Sequence, residues 1–335
     1  MSFSSRVFDL HLRHPFQIAR REAMRVRPIV LLEANGGVGE ASPSSYYGDT
    51  VETVLAALEA FRPVIEENPP IEVAVRRMNE LLPRHPSAKA AVDVALHDAL
   101  GKRAGLPLYA LLGLDKNGTP LTSFTIGIDR LEVIAEKIAE AAAYPVLKIK
   151  LGTPRDEEIL KTVRAATDKV IRVDANAGWT REEALRWVKR LADCNVEFVE
   201  QPLPPDDLEG LRLVKEASPL PIFADESCVT SADIPRLVGC VDGINIKLMK
   251  CGGLREAWKM IHAARTFDLK VMLGCMVESS VAITAAAHLS PTVDYADLDG
   301  NLLITNDPYE GATVEAGKLV LPDRPGLGVV KREKR

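Results

Sequence analysis

From residue 121 onward the chain repeats one unit, a short apolar run followed by an amphipathic stretch of helical period. The runs fall at residues 121–127, 146–150, 170–174, 196–200, 221–225, 243–247, 270–274 and 295–299. Alternation of this kind builds a parallel sheet covered by helices, and eight strands with seven helices between them are the count for a closed barrel. An open, doubly wound sheet would carry a glycine-rich phosphate turn after its first strand, which residues 125–130 do not supply. Thr180 with Glu183 forms a capping box at the head of one helical stretch, and Thr153-Pro154 marks another helix start.

Residues 1–118 follow a different order. Residues 6–13 and 28–34 read as paired strands, and residues 50–66, 72–82 and 87–104 as helices. Gly105, Pro107, Gly113 and residues 116–120 break the pattern and mark a boundary. The 335 residues, 47% of them hydrophobic, suffice for one large barrel and a smaller domain. Residues 281–289 are alanine-rich and predict a buried helix; no run approaches the roughly 18 apolar residues of a membrane span.

The net charge of −5 argues against a nucleic-acid surface, which needs a basic patch. The one basic run, 331–335, reads as a frayed, solvated tail. Five cysteines without a CxxC pair point to reduced thiols. Residues 1–10 lack the apolar core of a secretory signal, so the expected location is the cytoplasm.

The residues that end the runs carry the chemistry. Lys148 and Lys150 end the second run, Asp174 the third, Glu200 the fourth, Asp225 the fifth and Lys247 the sixth, while the eighth holds Asp297 and Asp299. A buried barrel strand should be apolar throughout. A charge at its C-terminal end is tolerated at the open mouth, where barrel enzymes keep their active sites. Any one of these could be an ordinary ion pair; six strands of eight form a pattern.

Asp174, Glu200 and Asp225 lie one strand–helix unit apart, so their carboxylates converge and repel unless a cation neutralises them. An all-oxygen set suits Mg²⁺; the alternative pairs two of the acids with Lys148 and Lys150. Lys150 and Lys247 sit four strands apart in a ring of eight and face each other across the mouth. A substrate carboxylate held between them would present its α-carbon to an amine on each face, which is the arrangement for 1,1-proton transfer: racemisation or epimerisation. The base must be partly neutral, with its pKa brought toward about 7–8 by burial and a neighbouring cation. Lys148 could be that cation, or could pair with a metal-binding acid. Lys250 reads as a solvated loop residue.

Lys148-x-Lys150, Asp174-x-Asn176, Glu200-Gln-Pro, Asp225-Glu-Ser and Asn245-Ile-Lys247 with Lys250-Cys-Gly-Gly resemble the enolase superfamily, in its muconate-lactonising subgroup. The resemblance covers the whole chain. It implies an α/β fold: an N-terminal α+β capping domain over 1–118, a modified (β/α)7β TIM barrel over 119–304, and a C-terminal segment from about 305 to 335 returning to the cap. It implies Asp174, Glu200 and Asp225 as Mg²⁺ ligands and Lys150 and Lys247 as the acid/base pair, with Lys148 supporting. Some branches of the superfamily use a His–Asp pair, but none of the six histidines ends a barrel strand here.

Asp297-Leu-Asp299 resembles the DxD motif of the family's dipeptide epimerases. Residues i and i+2 of a strand point to one face, so both acids can meet a substrate ammonium; alternatively, one points inward and the other bonds the barrel-closing strand. Residues 15–21, with Phe16 and Arg21, resemble the family's first specificity loop. Arg21 matches the position from which L-Ala-D/L-Glu epimerases engage a distal carboxylate, although the crowding of Arg20, Arg21, Arg25 and Arg27 also fits an exposed basic loop.

The expectation is a Mg²⁺-dependent dipeptide epimerase of peptidoglycan salvage. The alternatives are an o-succinylbenzoate synthase, a muconate cycloisomerase, an N-succinylamino-acid racemase or a catalytically silent binding barrel. The expected partner is a small dipeptide, with no nucleic acid or membrane, and a homo-oligomer is left open.

Overall fold

The computed structural model describes residues 3–333. Met1 and Ser2, at the head of the segment read for a signal, lie outside that range, as do Lys334 and Arg335 of the basic run. The chain opens with β1 (Phe3–Ile18), β2 (Arg21–Ala34) and β3 (Gly37–Ala41), an antiparallel sheet ordered as in the sequence. Three helices cover it: α1 (Val51–Glu67), α2 (Ile71–Leu81) and α3 (Pro86–Ala104), followed by the single turn α4 (Leu108–Leu111). Thr50 caps α1 by accepting from the Thr53 amide.

Then come β4 (Phe124–Ile126), α5 (Leu131–Glu140), β5 (Val146–Lys150), α6 (Asp156–Ala166), β6 (Val170–Asp174), α7 (Arg181–Leu191) and β7 (Val196–Glu200). They are followed by α8 (Leu208–Ala217), β8 (Ile222–Ala224), α9 (Ile234–Leu237), β9 (Gly243–Ile246), α10 (Leu248–Cys251), α11 (Leu254–Thr266), β10 (Lys270–Gly274), α12 (Ser280–Ala287) and β11 (Tyr295–Asp297). Strands β4 to β11 form one parallel sheet in sequence order, and a parallel bridge from Thr122 to Ala296 closes it into a ring. This is the (β/α)7β barrel with an N-terminal cap. The Thr180–Glu183 capping box opens α7, whereas α6 begins two residues after Pro154, with Asp156 accepting from the amides of Gly152 and Thr153.

Sequence 37–41 (Gly-Val-Gly-Glu-Ala) carries little strand propensity, and β3 exists because α3 presses on it. A Cβ at Gly39 would stand 1.9 Å from the Ala91 carbonyl oxygen. Gly39→Ala is therefore expected to cost about 2–3 kcal/mol, read as a lower urea midpoint at unchanged m-value; an unchanged midpoint would refute this close packing.

After β11 the chain runs back to the cap, through β12 (Tyr309–Glu310), the hairpin of β13 (Thr313–Glu315) with β14 (Lys318–Val320), and β15 (Val330–Lys331). Leu12 bridges Ile304, His11 accepts from Thr305 N, and Leu327 N donates to the buried Asp98 of α3. The expectation of a frayed tail fails at Lys331, which pairs within β15 against β12 and lies 3.5 Å from Glu33. That ion pair is exposed and contributes little; the backbone ladder does the ordering.

Carboxylates from outside the barrel cap α12. Glu40 on β3 accepts from Ser279 N at 2.9 Å, and Asp307 accepts from Ser280 N at 3.0 Å. At the other end of α12, buried His288 accepts from Tyr109 N through Nδ1 at 3.2 Å and donates through Nε2 to Leu327 O at 3.0 Å. The two bonds fix the neutral tautomer, and burial lowers its pKa to about 4. The native state thus binds fewer protons than the unfolded chain between pH 4 and about 6.5, so stability rises with pH in that window and is lost on acidification. The difference between wild type and His288→Gln should reach roughly 3 kcal/mol between these pH values. A pH-independent difference in urea unfolding would sink the assignment.

No described helix is long and apolar enough to cross a membrane. All five cysteines are free.

Candidate active site

The barrel strands deliver their charged ends to one mouth. Asp174 ends β6, Glu200 ends β7 and Asp225 follows β8; all three are fully buried, and one oxygen from each lies within 4.8 Å of the others. Around them stand the lysines. Lys150 Nζ is 2.6 Å from Asp174 Oδ2, and Lys247 Nζ, on the far side of the ring, is 2.7 Å from Asp225 Oδ2. Lys148 Nζ lies 2.6 Å from Asp297 Oδ2, 2.7 Å from Glu200 Oε2 and 3.4 Å from Asp174 Oδ2.

Burial works against every one of these charges, and the partners decide the outcome. Asp174 is held below the usual carboxylate range by Lys150 and Lys148 despite its burial, and Asp225 likewise by Lys247 and Lys250. Glu200 is pushed up, by burial first and then by the negative charge of Asp174. Three carboxylates this close cannot all ionise comfortably without a cation. Buried Glu200 Oε2 also has no hydrogen-bond partner among the described residues, although Lys148 Nζ stands 2.7 Å away. An open buried oxygen in an all-carboxylate cluster fits a hard divalent ion such as Mg²⁺.

One expectation about a lysine requires correction. Lys250 is not solvated: it is fully buried, and its Nζ donates to Asp225 Oδ1 and O (both 2.6 Å), Asn245 O (2.9 Å) and Cys228 O (3.0 Å). It lies one helical turn beyond Lys247, and that i, i+3 spacing was the signal for a shared face. Lys247 stands buried among three acids. Burial lowers its pKa, but Asp225, Glu200 and Glu226 outweigh burial and raise it while their charges stand unneutralised. Lys148 pairs with three acids, which is the ion-pair role expected for it and is compatible with its acting as a like charge near Lys150.

Asp297 and Asp299 both line the mouth cavity. Asp297 accepts from Ser123 Oγ and Lys148 Nζ, each at 2.6 Å, and Asp299 Oδ2 accepts from Thr125 N at 2.6 Å. Both acids thus bond the barrel-closing side while facing the cavity, and Asp299 Oδ1 also meets Cys275 Sγ at 3.9 Å.

The cavity has a volume of about 330 Å³ and also touches Lys148, Lys150 and Lys247. Its cap side is formed by Phe16, Ile18, Arg20, Arg21, Met24 and Arg27 of the β1–β2 hairpin and by Tyr46 and Tyr47. Residues 15–21 are thus the hairpin's end rather than a separate loop. The crowded arginines separate by partner. Arg27 is buried on Ser42 and the Pro43 carbonyl, and Arg20 pairs with Glu226. Arg21 makes no side-chain hydrogen bond or ion pair among the described residues and faces the cavity.

Glu226, Tyr46, Tyr47, Met276 and Val277 were not singled out by sequence. Glu226 stands inside the quoted Asp225-Glu-Ser motif and could have been; the others lie in turns without periodic signal. Past β6, Asn176 and Ala177 both take positive φ (47° and 61°), a costly conformation for alanine. It folds Asn176 back so that its amide N donates to Asp174 Oδ1 at 2.8 Å.

Comparison with known proteins agrees with this geometry. Residues 4–113 match the mandelate racemase / muconate lactonizing enzyme N-terminal domain, and residues 130–335 the enolase C-terminal domain-like family. The chain is 46% identical over 330 residues to an L-Ala-D/L-Glu epimerase of Bacteroides thetaiotaomicron, covering 97% of this chain and 86% of that one. A dipeptide epimerase of Enterococcus faecalis, solved with Mg and L-Leu-L-Tyr, superposes with TM-score 0.90 at 37% identity over 98% of both chains. The substrate-liganded L-Ala-D/L-Glu epimerase of Bacillus subtilis gives TM-score 0.90 at 30% identity, over 99% of this chain and 98% of that one. With a capping domain, a (β/α)7β barrel and both family models matched along its length, the chain belongs to the mandelate racemase / muconate-lactonising branch of the enolase superfamily.

Proposed function

We propose that this protein is a Mg²⁺-dependent dipeptide epimerase that inverts the α-carbon of the C-terminal residue, with L-Ala-D/L-Glu as its preferred substrate class. The reading rests above all on one observation: buried lysines from opposite strands, Lys150 and Lys247, open into one cavity, and each contacts a member of the buried three-carboxylate cluster, Asp174 at 2.6 Å and Asp225 at 2.7 Å. The relatives named for dipeptides support it.

Asp174, Glu200 and Asp225 would hold the ion, which when bound offsets their charge and stabilises the negative charge that develops on the substrate carboxylate. Lys150 and Lys247 address opposite faces of the α-carbon. One takes the α-hydrogen as a proton, its bonding pair passing to the carboxylate, and the other returns a proton to the opposite face. In the reverse direction their roles exchange. Lys148 keeps Asp297 ionised through its 2.6 Å contact, while burial and then Asp297 push Asp299 up to about 7, so an α-ammonium seated beside the pair would favour its charged form. Arg21, facing the cavity without a side-chain partner among the described residues, supplies a guanidinium for a distal carboxylate.

Incubating the protein with Mg²⁺ and a dipeptide library in D₂O should introduce one deuterium at the C-terminal α-position, with Ala–Glu leading. Turnover confined to anionic substrates without an ammonium group would overturn the reading in favour of a lyase or cycloisomerase.

A further inference from the structure

Two charged residues that this chemistry does not use meet at the rim of the cavity. Arg20 occupies the turn of the β1–β2 hairpin and reaches across the mouth, placing Nη1 2.5 Å from Oε1 of Glu226. The same nitrogen donates to Asn176 O at 3.0 Å, and the guanidinium lies over Tyr46, 4.3 Å from the ring centroid. One side chain thus ties the hairpin to the loops after β6 and β8 and to the cap turn at 45–47. Glu226 is wholly buried, and its second oxygen has no hydrogen-bond partner among the described residues. Arg20 is its sole ion-pair partner among them.

The hairpin needs such a tie. Its ladder slips between His11 and Phe16 and again between Phe16 and Ile18, so regular pairing does not fix its end. Residues 20–23 are exposed. Yet this end carries Phe16, Ile18, Arg21 and Met24 into the cavity.

We propose that Arg20 and Glu226 form a latch that holds the hairpin end over the mouth, making Arg20 a positioning residue for Phe16 and Arg21. Opening the latch strips a buried carboxylate of its cation, which biases the hairpin toward the closed position. Arginine suits the role because its planar head meets an acid, a carbonyl and an aromatic face together. The consequence for substrate rests on the proposed function; the latch itself does not.

The test uses the full chain with Arg20→Met, Arg20→Lys, Glu226→Gln and the Arg20→Met/Glu226→Gln double variant. Hydrogen exchange at residues 15–24, which requires no turnover, should quicken in Arg20→Met and in Glu226→Gln, with no further gain in the double variant. A hairpin open nine-tenths of the time raises apparent KM for Ala–Glu about tenfold. The expected kinetic signature of Arg20→Met is that rise with kcat within about threefold of wild type, and partial rescue by Arg20→Lys. Unchanged exchange in both single variants, or independent additive effects, would overturn the latch. So would a loss of kcat at unchanged KM, which would place Arg20 in the chemistry itself. Should no dipeptide be turned over by wild type, the exchange result still decides the latch.

Discussion

Lys150→Ala and Lys247→Ala are each expected to lower epimerisation by about 10³-fold, within the range for loss of a general acid or base. Each should nonetheless retain α-proton exchange with one epimer. Without Lys150, Lys247 still faces one side of the α-carbon and can exchange the hydrogen that points toward it; without Lys247 the other epimer is served. Neither change should unfold the site. Asp174 keeps Lys148 at 3.4 Å when Lys150 is gone, and Asp225 keeps Lys250 at 2.6 Å when Lys247 is gone. Following each pure epimer in D₂O by NMR separates exchange from inversion. Normal epimerisation by either variant would end the two-base mechanism.

Metal removal should be nearly as severe. Exhaustive chelation is expected to reduce turnover by at least about 10²-fold, the scale set by losing electrostatic stabilisation of the developing charge, with Mg²⁺ restoring it. Glu200→Gln is the informative variant because it keeps side-chain shape and an acceptor for Asn245 Nδ2, now 2.7 Å from Glu200 Oε1. It should weaken Mg²⁺ binding, read by calorimetry, at least about tenfold, while the melting temperature stays close to wild type. Full activity after chelation would exclude the proposed use of the carboxylate cluster.

Much of the architecture was legible because it rests on local pattern. Eight apolar runs gave eight strands, and Thr180 with Glu183 gave the helix cap that the structure contains. The features that were missed share one cause: their conformation is imposed from a distance. Strand β3 is glycine-rich and forms against α3. Lys331 is ordered by a partner strand more than 20 residues away. Lys250 looked like a loop cation because its acceptors, Asp225, Cys228 and Asn245, are brought to it by the neighbouring strand and loop.

The site divides in the same way. Sequence alone determined which residue types reach the mouth, since strand length and charge placement follow from the chain's own periodicity. It could not assign partners. Which of Arg20, Arg21 and Arg27 meets an internal acid or carbonyl and which faces the cavity depends on how the hairpin slips against itself and lies over the barrel. The balance between burial and opposing charge at Lys247 likewise exists only once Asp225, Glu200 and Glu226 surround it. Periodicity is a property of neighbours in the chain, whereas Coulomb interactions and desolvation depend on neighbours in space. Only the tertiary structure supplies those.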